Sequence, residues 1–461
     1  MPSTSTSCAT RWIARVAANL QRYLWTDDPV TTSTHIRAVH FTELRAAIQD
    51  LWTHAGQGTV PNWSAGSAPS PSRQISARDI NDLRTWVNQY DPATIIGAQW
   101  ANASPSVHPW GSKSGWDVEL VYATVDPNSN DPNSLTTVGN RIQLLRQANL
   151  LMNVLVRVDY SPAPSGGYAQ SIPPQNNDAA RTAYVNFLAT LSRDSRFNQN
   201  AWGYIIGNEY NISAENGGGT PISPTWYARV FNGYSVPSGD TGNAYQTIKT
   251  YQPHANVLVG PVGPWNAQGL PDDSSTYTIP CPSRQQGQNT HVAWLDYFNE
   301  VCSNIYSMVA TKGKVDGFAI HAYGRTGADG SQHGGASEPN QTYDNDNQQG
   351  WAPCAWYGFA VYKNWRDVIN QRFPGTPIFA TETNTDVDAA CNTSYPSGWY
   401  LNALAEIHNA GPQFWALCWF LDQPIGIDSS SRFWNDSLQV GAGNTAQARA
   451  DFDNALRTLN Y

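Results

Sequence analysis

The chain has 461 residues, more than one ordinary domain holds and enough for a barrel of about 250 residues plus an accessory module. Only 14% of residues are charged and the net charge is -9, which argues against nucleic acid as a partner because phosphate binding needs a basic face. No apolar run reaches the ~18 residues of a membrane span, so no membrane partner is expected.

Residues 1–90 read as a small helical module with a twofold internal repeat. Ile36-Arg37-Ala38 leads to Leu44-Arg45 and Ile48, and Ile75-Ser76-Ala77 leads to Leu83-Arg84 and Val87. Phe41, Leu44 and Ile48, like Ile80, Leu83 and Val87, fall on one face of a short helix. Gly56 to Ser72, rich in Gly, Pro and Ser, reads as a linker. A helical cap packed on the larger C-terminal part is the plainer role, and a substrate-targeting module the functional one.

From residue 91 to 461 short apolar strands alternate with amphipathic helices. The strands are read at Ile95–Gln99, Val118–Ala123 (the weakest), Asn153–Asp159, Gly203–Asn208, Asn256–Gly260, Val315–His321, Pro377–Thr381 and Phe414–Phe420. Near-continuous apolar strands followed by helices indicate a buried parallel sheet, and eight of them indicate closure. The expected fold is therefore α/β, a (β/α)8 TIM barrel preceded by the helical module. No convincing helix lies in 101–117. Long polar segments at 160–178, 209–224, 261–291 and 322–355 follow strand C-termini, where loops ring the mouth of such a barrel. Their length suits a groove around a polymer, although any one could be a decorative insertion.

Two strands run into a carboxylate. Trp202-Gly203-Tyr204-Ile205-Ile206-Gly207-Asn208-Glu209 ends the fourth, and Pro377-Ile378-Phe379-Ala380-Thr381-Glu382 ends the seventh. Strand C-termini of a barrel face one pocket, so residues far apart in sequence can meet there. Carboxyls ~5–5.5 Å apart permit double displacement at a sugar, and a gap of ~6.5–9.5 Å implies inversion.

Gly207-Asn208-Glu209 and Thr381-Glu382 at these two strand ends resemble the signature of clan A glycoside hydrolases, retaining enzymes on a (β/α)8 barrel. The resemblance covers roughly 91–461, and Tyr210 departs from it, since many members carry Pro after the Glu. It implies that Glu209 is general acid and then base, that Glu382 is the nucleophile, and that Asn208 hydrogen-bonds the sugar 2-hydroxyl. Two solvated strand-end carboxylates are the bland alternative.

Arg157, a lone charge inside the apolar strand 153–159, must be paired if buried. Its partner is either a barrel carboxylate or, structurally, Asp159 or a group on a helix. Clan members often hold the nucleophile ionised with an Arg, usually from strand two, whereas Arg157 lies on strand three. His321 and Tyr323 end the sixth strand on the same side, and the resemblance gives them contacts to sugar and nucleophile. On the eighth strand, period two puts Trp415 and Trp419 on one face. Trp419 resembles the tryptophan that floors the sugar subsite, and Trp415 reads as packing. Trp100, Trp110 and Trp265 are further possible platforms, because flat aromatic faces suit sugar rings.

No cofactor is expected, as no Gly-rich phosphate loop follows a strand, and no catalytic metal, as no H-x-H or H-E-x-x-H is present. The acidic loop Asp344–Gln348 lacks EF-hand spacing, although a structural calcium ion is compatible with it. The six cysteines lack C-x-x-C pairs; Cys418 reads as a buried thiol, while Cys281, Cys354 and Cys391 fall in loops where disulfides can form outside the cell. Low charge and many small polar residues point to a secreted protein, although Met1 to Thr6 begin no visible signal peptide. A monomeric, endo-acting hydrolase of β-linked poly- or oligosaccharides (β-glucan, mannan or galactan type) is the leading expectation. A non-catalytic carbohydrate-binding protein on the same scaffold, or a transglycosylase using the same residues, are the alternatives.

Overall fold

The computed structural model describes Ala38–His54 and, with interruptions, residues 94–459, together with isolated positions between them. Eight parallel strands close into a barrel: β1 (Ile96–Gln99), β2 (Gly115–Tyr122), β3 (Met152–Asp159), β4 (Ala201–Ile206), β5 (Asn256–Val259), β6 (Gly317–His321), β7 (Ile378–Thr383) and β8 (Phe414–Trp419). β8 pairs with β1 through Ile96↔Leu417 to Ala98↔Trp419, which completes the ring. Around it lie α1 (Leu135–Ala148), α2 (Asp178–Arg193), α3 (Pro224–Asn232), α4 (Ala244–Tyr251), α5 (Ala293–Lys312), α6 (Tyr362–Arg372), α7 (Trp399–Asn409) and α8 (Asn444–Thr458).

The helices start where side chains satisfy their free amides. Ser134 accepts from Thr137 N at α1, Asn177 from Ala180 N at α2, and Ser223 from Trp226 N at α3, where Pro224 occupies the first turn. Between β1 and β2 the described residues form turns rather than a helix. β2 begins three residues before the sequence indicated and pairs with β3 along its whole length, Gly115↔Met152 to Tyr122↔Asp159. Its outward-facing acids hide it in the sequence. The structure neutralises one of them, because Arg141 Nε on α1 lies 2.8 Å from both carboxylate oxygens of Glu119.

Inside the barrel, side chains stack in layers. Trp116, Trp202, Phe379 and Trp415, each the second residue of its strand, form the lowest layer. Their rings meet at 5.0 Å (Trp116–Trp202), 5.1 Å (Trp116–Phe379) and 6.0 Å (Trp202–Trp415). Val118, Leu155, Ile205, Leu258 and Ala319 fill the space above them. The polar side chains come last, at the C-terminal end, where barrel sites form.

His108, from the β1–β2 connection, is clamped between Asp422 beyond β8 (Nε2 to Oδ1, 2.9 Å) and Asp453 of α8 (Nδ1 to Oδ1, 2.6 Å). Burial works against its charge, but the two carboxylates outweigh burial and raise its pKa to about 9. This ties the last helix to the closing seam of the barrel.

Of the N-terminal module, Ala38–His54 is one helix, and Arg45 from the first repeat reaches Asp79 of the second at 3.0 Å. Most of residues 1–93, including Ile36, Ile75, Ile80, Leu83 and Val87, lie outside the described residues. So do Cys8, Cys281, Cys354, Cys391, Trp265 and the loop Asp344–Gln348. Cys302 and Cys418 are free, buried thiols.

Candidate active site

β3 alternates strictly, so Leu155, Arg157 and Asp159 share the inner side while Val154, Val156 and Val158 pack outward. β7 does not. Ile320 pairs with Ala380 but His321 with Glu382, so β7 carries one extra residue there. Phe379 already points inward, and simple alternation would turn Glu382 outward. The bulge turns it into the barrel, which is a common use of bulges near active sites.

Glu209 is aimed differently. It follows β4 with φ 36, in the left-handed region that costs a non-glycine residue ~1–3 kcal/mol. Gly207, at φ 76, makes the preceding turn, and a Cβ there would lie 2.5 Å from Ile172 Cγ2. Tyr210 is fully buried and stacks on Tyr227 at 3.7 Å, which accounts for an aromatic after the acid.

These devices bring Glu209 and Glu382 together. His321 Nδ1, at the end of β6, lies 2.8 Å from Glu209 Oε1 and 3.5 Å from Glu382 Oε2. Arg157 Nη1 reaches Glu382 Oε1 at 2.5 Å and Asn208 Oδ1 at 3.2 Å. Tyr323 Oη donates to Glu382 Oε2 at 2.5 Å. All but Tyr323 are buried, and Tyr323 is half-buried. Burial raises the carboxyl pKa of Glu382, but the charges of His321 and Arg157 and hydrogen bonds from Tyr323 and Arg157 outweigh it, leaving it below the usual range.

Trp419 stands elsewhere. It is fully buried on the outer side of the barrel, its Nε1 donates to Asp436 O at 3.0 Å, and its ring packs against Tyr395, Trp399 and Tyr400. It therefore does not floor a sugar subsite. An extra residue in β8 between Phe414 and Ala416 leaves Trp415, Ala416 and Cys418 all inside and breaks the alternation that would have kept Trp419 on the same face as Trp415. Phe420, the next residue, takes the inward place, its ring 6.3 Å from that of Tyr323. Trp110 is likewise buried, against Phe452 of α8, and Trp100 packs with Leu120 and Leu421.

Two acids beside the pair were not singled out as site residues. Asp159 Oδ2 lies 3.3 Å from Arg157 Nε. Burial foremost, with the Glu382 charge, lifts its pKa to about 7 against the pull of Arg157 and His321. Glu215, on the turn Ser213–Glu215 after β4, is raised to about 8 by burial and by the charges of Glu209 and Asp159. Asp159 was legible as the residue two beyond Arg157 on one strand face. Glu215 sits in an irregular loop that gives no such signal. Among the described residues no group of three or more His, Cys, Asp or Glu is arranged to hold a metal ion.

No protein-family profile and no curated protein matches the chain. Among solved structures it is similar to a β-glucosidase from Exiguobacterium marinum, at TM-score 0.34 and 9% identity, over 74% of this chain and 83% of that one. A hyperthermophilic β-glucosidase matches at TM-score 0.29 and 12% identity, over 83% of this chain and 79% of the other. The carboxyl transferase domain of Rhizobium etli pyruvate carboxylase matches at TM-score 0.32 and 10% identity, over 90% of this chain and 59% of that chain. Likeness at this level does not separate a glycosidase from a carboxyl transferase, so a functional reading rests on the residues above.

Proposed function

We propose that the chain is a retaining glycoside hydrolase acting on β-linked poly- or oligosaccharides, with Glu382 as nucleophile and Glu209 as acid and base. The observation that carries this reading is the single His321 nitrogen shared by both carboxylates. Their nearest oxygens lie 2.8 and 3.5 Å from that one atom, which supports the close approach of two carboxyls that double displacement uses.

In the first step a Glu382 oxygen bonds to the anomeric carbon as the glycosidic C–O bond breaks, and Glu209 gives its proton to the departing oxygen. The lowered pKa of Glu382 suits a group that must attack as an anion. In the second step Glu209 takes a proton from water, the water oxygen bonds to the anomeric carbon, and the ester C–O bond breaks. Asn208, its Oδ1 accepting from Arg157, would donate its amide N–H to a sugar hydroxyl. The choice of β-linkage rests on the sequence resemblance, endo action on the long strand-end segments, and secretion on composition.

The test is a panel of β-linked glucan, mannan and galactan oligosaccharides, with products followed by NMR from the first turnover. Hydrolysis with retained anomeric configuration, abolished in Glu382→Ala while sugar binding persists, is expected. Binding without hydrolysis by the native protein would favour a non-catalytic carbohydrate-binding protein, and transfer to sugar acceptors a transglycosylase.

A further inference from the structure

We propose that Asp159 is a positioning residue that holds Arg157 in place through the covalent intermediate, so that its loss slows the second step more than the first. This rests on the reading of Glu382 as nucleophile.

Arg157 is a buried cation between two carboxyls: its Nη1 donates to Glu382 Oε1 at 2.5 Å, and Asp159 Oδ2 lies within ion-pair range of its Nε at 3.3 Å. The Asp159 charge on the Nε side draws the guanidinium toward its own strand, while Glu382 draws Nη1 across the barrel. While Glu382 is a free carboxylate it compensates Arg157 directly, and its charge helps lift the Asp159 pKa to about 7. Once Glu382 is an ester its charge is gone, and without Asp159 the buried guanidinium would lose both anionic partners. An uncompensated buried charge moves toward solvent or draws water inward. Asp159 is itself 1% exposed, on the same strand face, and remains to neutralise Arg157 at that moment. Arg157 then stays where its Nη1 can stabilise the Glu382 carboxylate as it leaves in the second step.

The charged and titratable groups around Asp159 agree with this assignment. Arg157 on its own strand, His321 of β6 and Glu382 of β7 face it, with Tyr122 of β2, Tyr184 of α2 and Glu215 of the loop after β4. Arg157 and His321 are the basic groups of this set. Of the two, the guanidinium is the one in an ion pair with Asp159, so the carboxylate acts on Arg157 first.

The test uses Asp159→Asn and Asp159→Glu in the full chain with whichever dinitrophenyl β-glycoside (glucoside, mannoside or galactoside) the native protein turns over best. So activated a leaving group makes the second step limiting. For Asp159→Asn we expect kcat to fall about tenfold or more while kcat/KM falls less than about threefold. KM should fall with kcat, a burst of dinitrophenol should approach one per site, and intact mass should show the glycosyl adduct on quenching. Asp159→Glu, which keeps the charge, should recover most of kcat. In an Arg157→Ala background, Asp159→Asn should add nothing further. Parallel loss of kcat and kcat/KM with no adduct, or turnover like the native protein's, overturns the proposal. A thermal melt of each variant identifies a variant that fails to fold, in which case Asp159→Glu and the Arg157 background carry the decision. Retained turnover by Glu382→Ala in the same assay would instead overturn the reading beneath it.

Discussion

Tyr323, just beyond β6, and Glu382 of β7 meet in one hydrogen bond, phenol Oη to carboxylate Oε2 at 2.5 Å. The bond is one of the contributions that keep the carboxyl ionised, after the charges of His321 and Arg157. Removing it in Tyr323→Phe should raise the pKa of Glu382. The ionised nucleophile is then lost sooner as pH falls, so the acid limb of the kcat/KM profile should move to higher pH. A loss of about tenfold at the optimum is expected. An unmoved acid limb would show that the phenol does not act on the carboxylate.

Glu209→Ala removes proton donation but leaves the nucleophile and its partners. With natural oligosaccharides kcat should drop by about 10²–10⁴. With a dinitrophenyl leaving group the first step should survive, and added azide should restore turnover by replacing the water that needs a base. A glycosyl azide of the same anomeric configuration as the substrate, seen by NMR, is the expected product. Absence of azide rescue together with full loss of the first step would remove Glu209 from the acid/base role.

Stability should depend on the His108 clamp in a particular pH window. The folded pKa, about 9, lies above the ordinary value of 6.5, so the clamp's contribution is complete below about 6.5 and is lost as pH rises through about 9. A shift of this size corresponds to roughly 3 kcal/mol. Melting temperatures measured across that window should fall more steeply for the native chain than for His108→Gln. Equal slopes would count against the charged form of His108 in the fold.

The aromatic layer at the foot of the barrel should carry much of the stability. Trp202 touches Trp116, Phe379 and Trp415, and Trp202→Ala should cost about 3–5 kcal/mol by denaturant unfolding. Gly97 is constrained by the neighbouring strands, since a Cβ there would lie 2.6 Å from Trp116 Cβ and 2.7 Å from Cys418 Sγ. Gly97→Ala should therefore lower the denaturation midpoint, whereas Gly375→Ala, with nothing within 4 Å but φ +76, should cost only local backbone strain.

The order of the strands and the two strand-end glutamates were readable in the sequence because apolar runs and their polar ends survive any local irregularity. What could not be read were the phase changes. Alternation places Trp419 beside Trp415 and turns Glu382 away from Phe379, yet extra residues in the ladders of β7 and β8 reverse both. Such bulges depend on how neighbouring strands fit, which a single strand's pattern does not encode. β2 was hidden for a related reason: Asp117 and Glu119 interrupt its apolar run, and their burial is offset by the amide of Ala101 and the side chain of Arg141. Glu215 enters through loop geometry alone.

The stopper of Trp116, Trp202, Phe379 and Trp415 has a consequence for traffic. With the barrel's bottom sealed by indole and phenyl rings, the proposed sugar substrate, its released fragment and incoming solvent would all have to pass by the C-terminal end. A fragment that lingers there blocks the very molecule that resets the machine, so the order of departure and arrival is dictated by architecture as much as by reactivity.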